Sequence, residues 1–78
     1  MKLDVYTDGA CTYNGQKDAR ASYAYYFPEH KEHSGAGRVP DDQTQTNNRG
    51  ELLAILEAVK KAQQVFPAGD VQLHIYSD

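Results

Sequence analysis

Cysteine is nearly absent from this sequence: Cys11 is the only one. No disulfide can form within the chain. The thiol reads either as a small reduced side chain of an intracellular protein or as a reactive group. Tryptophan is missing altogether. No apolar run approaches the ~20 residues that a membrane-spanning helix needs. The N-terminus shows no charged-then-apolar signal segment. These absences favour an intracellular protein with no membrane partner. Positive charge is also scarce, with 8 Lys and Arg against 11 Asp and Glu, a formal net charge of −3. A generic polyanion binder carries a basic face instead. Nucleic acid stays open as a partner, because bound metal ions reverse a local potential. At 78 residues the chain holds at most one domain. A chain this short buries only roughly 60% of its unfolded surface.

What is present is a clear order of elements. Leu3 to Thr7 alternates apolar and polar residues and predicts a strand closed by Asp8-Gly9. Ala10 to Arg20, with Asn14-Gly15 inside it, predicts a loop. Ala21 to Phe27 is Tyr-rich and predicts a second strand, stopped by Pro28. His33 to Val39 predicts a weaker third strand, interrupted by Gly35 and Gly37. Leu52, Ile55, Leu56, Val59 and Ala62 follow the spacing of an amphipathic helix over Asn48 to about Gln64. Asn48 serves as its N-cap and Glu51 as the acid of a capping box. Lys60 and Lys61 near its end suit the helix dipole. Pro67 to Asp70 breaks the helix, and Val71 to Tyr76 alternates as a last strand. The expected fold is α/β: a three-stranded antiparallel meander, a helix, then a fourth strand returned parallel by a right-handed crossover.

Three acids stand at the predicted element edges: Asp8, Glu51 and Asp78. If the fourth strand lies beside the first, Asp8 and Asp78 share the carboxyl ends of two parallel strands, where ligand sites of such sheets lie. Glu51 reaches the same spot from the helix. Clustered carboxylates without a basic partner repel one another. A hard divalent cation, which takes oxygen ligands, offsets that repulsion. Each acid also has a plain alternative. Asp8 is a common turn residue before Gly9, Glu51 a capping residue, and Asp78 a strand-end residue with no role.

Tyr6-Thr7-Asp8-Gly9-Ala10-Cys11, Asn14-Gly15, Thr46-Asn47-Asn48-Arg49-Gly50-Glu51-Leu52 and Tyr76-Ser77-Asp78, in this order, resemble type 1 ribonuclease H over essentially the whole chain. The resemblance implies a ribonuclease H-like fold and a metal-dependent endonuclease that cuts the RNA strand of an RNA/DNA hybrid. It implies two Mg²⁺ ions, with Mn²⁺ as a substitute. Asp8, Glu51 and Asp78 match three of the family's four catalytic, metal-binding carboxylates, with the backbone of Gly9 beside them. In a two-metal site one ion activates the attacking water and the other stabilises the leaving oxygen, roughly 3.5–4 Å apart.

The resemblance also assigns substrate contacts. Cys11, Tyr13 and Asn14 match positions that read the 2′-hydroxyls of RNA, the group that distinguishes RNA from DNA. Tyr13 stands where relatives commonly have a small residue. Thr46, Asn47 and Asn48 match positions on the DNA strand, Thr46 at a phosphate. Thr44 replaces an Arg that many relatives carry, which weakens the expected phosphate grip. Ordinary turn and cap chemistry is the alternative for Asn14, Thr46 and Asn48. Arg49 reads as structural. Tyr23 and Tyr25 share one strand face and read as packing residues rather than a base-stacking platform. His30, His33 and His74 lack metal-ligand spacing.

The family continues past the third acid with further helices and a fifth strand, which carry the fourth carboxylate and a mobile His. Residues 1–78 are therefore expected to be a partial catalytic domain, weakly active or inactive alone. Its partners would be the hybrid and either a complementary C-terminal fragment or a second copy of the chain. Two alternatives stay open: a non-catalytic hybrid-binding module, and another nuclease of the same fold.

Overall fold

The computed structural model describes residues 2–66 and 71–77. Four strands and one long helix follow in the order β1 (Lys2–Thr12), β2 (Arg20–Tyr26), β3 (Gly35–Arg38), α1 (Asn47–Val65) and β4 (Gln72–Ser77), with one 3₁₀ turn at Lys31–His33 before β3. They form one sheet in the spatial order β3-β2-β1-β4. β1 pairs antiparallel with β2, and β2 with β3. β4 returns parallel to β1, with Leu3 opposite Leu73 and Thr7 opposite Ser77. This is the expected meander, crossover helix and parallel fourth strand. Among the described residues, no helix is long and apolar enough to cross a membrane.

The first strand is longer than its sequence predicts. Asp8-Gly9 does not close it, because β2 keeps pairing through Asp8↔Ala24, Gly9↔Tyr23 and on to Thr12↔Arg20. Hydrogen bonding to a neighbouring strand overrides the turn preference of an Asp-Gly pair. Asp8 therefore lies inside a strand and not at its edge. The loop shrinks to residues 13–19, held by Gln16 N–H to the Tyr13 carbonyl at 2.9 Å and Ala19 N–H to the Gln16 carbonyl at 3.1 Å. β3 tolerates its glycines because the Tyr25 and Tyr23 rings fill the space that side chains at Gly35 and Gly37 would take. Tyr23 and Tyr25 thus share a face and pack, as expected.

The helix covers one face of the sheet, but of the predicted stripe only Ala62 is buried; Ile55 and Val59 are half-buried, and Leu52 and Leu56 are exposed. Gly50, Ala54, Ala58 and Ala62 are its buried residues, repeating every fourth position. Leu52 is 55% exposed and Leu56 is 46% exposed. Small side chains let the helix axis lie close to the strands, so the bulkier leucines are turned outward. Leu3, Val5, Phe27, Ala58 and Ala62 form the core between the layers. Tyr25 meets Phe27 edge to face, with ring centroids 5.9 Å apart.

The start of the helix also differs from expectation. Thr46, not Asn48, is the N-cap: its hydroxyl oxygen accepts from the Arg49 backbone N–H at 3.1 Å. Glu51 then lies too far along the helix to act in a capping box, and its carboxylate is turned elsewhere. The helix runs on to Val65, so Lys60 and Lys61 fall short of its last turn.

Candidate active site

The site is built where the N-terminal part of α1 crosses β1. Two glycines set the distance. A side chain at Gly9 would overlap the backbone of Gly50 and Glu51, and one at Gly50 would overlap the Ser22 carbonyl oxygen. With neither present, the backbone at Glu51 rests against β1 at Gly9. The Glu51 carboxylate reaches back along the strand to Thr7, whose hydroxyl donates to Oε1 at 2.8 Å. Glu51 is thereby anchored to the residue that precedes Asp8.

Asp8 is exposed, and strand alternation turns it to the face opposite Thr7. There it borders an open cavity of about 460 Å³ with Tyr6, Ala24, Tyr26, Tyr76 and Ser77. Tyr6 and Tyr76 stack across the parallel β1/β4 pair at 5.0 Å. Asp78, the third expected acid, lies outside the described residues. Among the described residues, no three His, Cys, Asp or Glu side chains come together as a metal cluster. The ion pairs there are His33–Glu32 and Lys60–Glu57, so no Lys or Arg neutralises Asp8 or Glu51. Asp8 of β1 and Glu51 of α1, held at the neighbouring Thr7, are two carboxylates on either side of the strand; their hard oxygens are the kind that suits a divalent cation.

The substrate residues expected from the sequence gather at the helix start. Asn14, in the β1–β2 loop, accepts through Oδ1 from the Asn47 backbone N–H at 3.3 Å. That contact joins the Cys11, Tyr13 and Asn14 group to the Thr46, Asn47 and Asn48 group. Tyr13 is 66% exposed and holds a left-handed backbone, φ 53°. The Cys11 thiol points to the Gln45 carbonyl at 3.4 Å. Thr44, Thr46, Asn48, Arg49 and Leu52 line an open recess of about 250 Å³. The Thr46 hydroxyl still has its proton to donate there, because as a cap it only accepts.

Three residues have roles that the sequence did not assign to them. Thr7 holds Glu51. Gly50 permits the close crossing. Gln45 organises the loop before the helix: Oε1 accepts from the Ala21 N–H at 2.8 Å, and Nε2 donates to the Pro40 carbonyl at 2.8 Å and the Val39 carbonyl at 3.2 Å. Thr7 stands at an apolar position of the Leu3–Thr7 alternation and Gly50 lies within the Thr46–Leu52 motif, but nothing in the local sequence states what either does or marks Gln45.

Comparison with known proteins identifies the family. The RNase H family model matches residues 1–78. A ribonuclease H of Crithidia fasciculata is 41% identical over 56 residues, covering 70% of this chain and 11% of that protein. Ribonuclease H1 of Mus musculus is 44% identical over 59 residues, covering 74% of this chain and 20% of the relative. A ribonuclease H of Thermoanaerobacter sp. is 33% identical over 76 residues, covering 97% of this chain and 43% of the relative. The chain thus spans less than half the length of each of these relatives.

Proposed function

The chain belongs to the RNase H family, and from that premise we propose that it forms part of the catalytic domain of a metal-dependent endonuclease acting on the RNA strand of RNA/DNA hybrids. The observation that supports the reading is the anchoring of Glu51 on Thr7, the neighbour of Asp8, with no Lys or Arg paired to either acid among the described residues. Asp8, Glu51 and Asp78 would hold two Mg²⁺ or Mn²⁺ ions, with the Gly9 backbone beside them. When bound, such ions activate a water and stabilise the leaving oxygen of the scissile phosphate.

The remaining residues position the substrate. Cys11, Tyr13 and Asn14 face the RNA strand and its 2′-hydroxyls. Thr46, Asn47 and Asn48 face the DNA strand, and the helix dipole together with the Thr46 hydroxyl proton favours a phosphate there. The Asn14–Asn47 hydrogen bond fixes the spacing of the two groups. The test is cleavage of an end-labelled RNA/DNA hybrid in Mg²⁺ by this chain, alone and with a C-terminal fragment of a relative. RNA-strand cuts that disappear in Asp8→Asn support the reading. Hybrid binding without cleavage under both conditions would favour the non-catalytic module instead.

A further inference from the structure

Thr7 is the buried polar side chain of the sheet. At 4% exposure it is the only fully buried polar residue among the described ones. Its neighbours on the same strand face are Val5, 0% exposed, and Leu3, 1% exposed. Valine has the same shape as threonine and would suit such a face without a hydroxyl to satisfy. A buried hydroxyl is costly unless it finds a partner. Here the partner is not a backbone group of the sheet but a carboxylate from another element, Glu51 Oε1 at 2.8 Å.

We infer that Thr7 is a positioning residue for Glu51: its hydroxyl holds one carboxylate oxygen so that the other is presented, pre-ordered, for a divalent cation. This rests on the metal-site reading proposed above. The physical reason is the contrast between the two side chains. Threonine is branched at Cβ and stiff about χ1. Glutamate has several free torsions and loses their entropy when it is fixed. Tying Oε1 to a stiff, buried donor orders the glutamate before any ion arrives. Such a donor to a metal ligand orients it, and removing one typically weakens metal affinity 10–100-fold.

The experiment is a Mn²⁺ titration of the chain followed by paramagnetic broadening of the Asp8 and Glu51 amide signals. It compares the unmodified chain with Thr7→Val, Thr7→Ser, Glu51→Gln and the Thr7→Val/Glu51→Gln pair. Thr7→Val should weaken Mn²⁺ binding by roughly tenfold while the rest of the amide spectrum stays native. Thr7→Ser keeps the hydroxyl and should restore near-unmodified affinity. In the Glu51→Gln background, Thr7→Val should cost no further affinity, because Thr7 acts through that carboxylate.

Undiminished affinity in Thr7→Val would overturn the positioning role while leaving the metal site standing. Absence of broadening near Asp8 and Glu51 in the unmodified chain would overturn the metal site and this inference together. If Thr7→Val does not fold, the unmodified chain decides. At saturating Mg²⁺ the Thr7 hydroxyl proton should exchange slowly and show a cross-peak to the Glu51 side chain. Loss of that cross-peak would overturn the inference.

Discussion

Gly9 of the first strand and Gly50 of the helix lie against each other, so closely that a Cβ on Gly50 would stand 3.3 Å from the Gly9 Cα. This crossing brings Glu51 onto β1. It makes a difference between two similar substitutions predictable. Gly9→Ala places a methyl into backbone atoms of α1, and overpacking of this kind costs about 1–3 kcal/mol. Gly50→Ala meets the Ser22 carbonyl oxygen, but alanine recovers up to ~1 kcal/mol of helix propensity. Urea unfolding should show both variants destabilised and Gly9→Ala the more so. A Gly50→Ala chain more stable than the parent would refute the close crossing.

The helix cap supplies a second prediction. Thr46→Ala removes the acceptor for the Arg49 N–H and should cost about 1 kcal/mol of stability. Asn48→Ala should cost clearly less, since Asn48 is already inside the helix. Thermal unfolding of the two variants side by side checks it. The reverse order would return the cap to Asn48.

Glu51→Gln separates stability from chemistry. The amide oxygen of glutamine still accepts from Thr7, so the crossing should hold and the melting temperature should change by no more than a few degrees. Cleavage of an RNA/DNA hybrid, under whichever condition the unmodified chain shows it, should fall by more than the roughly 10–100-fold that loss of an outer-shell partner costs. Retained cleavage with an unchanged melting temperature would remove Glu51 from the metal site.

A fourth prediction concerns Tyr25. Burial holds its phenol above the usual tyrosine value, with the charges of Glu57 and then Tyr23 acting in the same direction. A tyrosine whose pKa is higher folded than unfolded favours the folded chain while it is neutral. That contribution is complete below about pH 10 and is lost as the pH rises through the folded-state value. Tyrosinate absorbance should show one late-titrating tyrosine. Glu57→Gln should bring its midpoint part of the way back, leaving the larger effect of burial in place. An unmoved midpoint would exclude Glu57 as a contributor.

Gln45 offers a fifth. Its side chain serves the Ala21 N–H and the carbonyls of Val39 and Pro40 at once. Gln45→Ala leaves these groups short of a partner and should cost about 1–3 kcal/mol. Amide exchange should quicken at Ala21 in particular. Unchanged protection there would contradict the bridge.

The sequence by itself determined the order of the elements, the parallel return of the fourth strand and the family. Period-2 alternation in Leu3–Thr7 and Val71–Tyr76, and the helical spacing from Leu52 to Ala62, are local signals, because each reports the geometry of one element. The motif around Asp8 and Glu51 was legible for the same reason.

Tertiary structure decided what depends on a neighbour. β1 runs through Asp8-Gly9 because β2 supplies hydrogen bonds there. Ala54, Ala58 and Ala62, rather than Leu52 and Leu56, face the sheet because two glycines bring the helix too close for larger side chains. Glu51 bonds Thr7 instead of capping its own helix because that crossing puts the two within reach, although they are 44 positions apart in the chain. A local pattern carries no information about contacts of that kind, since their strength depends on distances that exist only after the sheet and helix have packed.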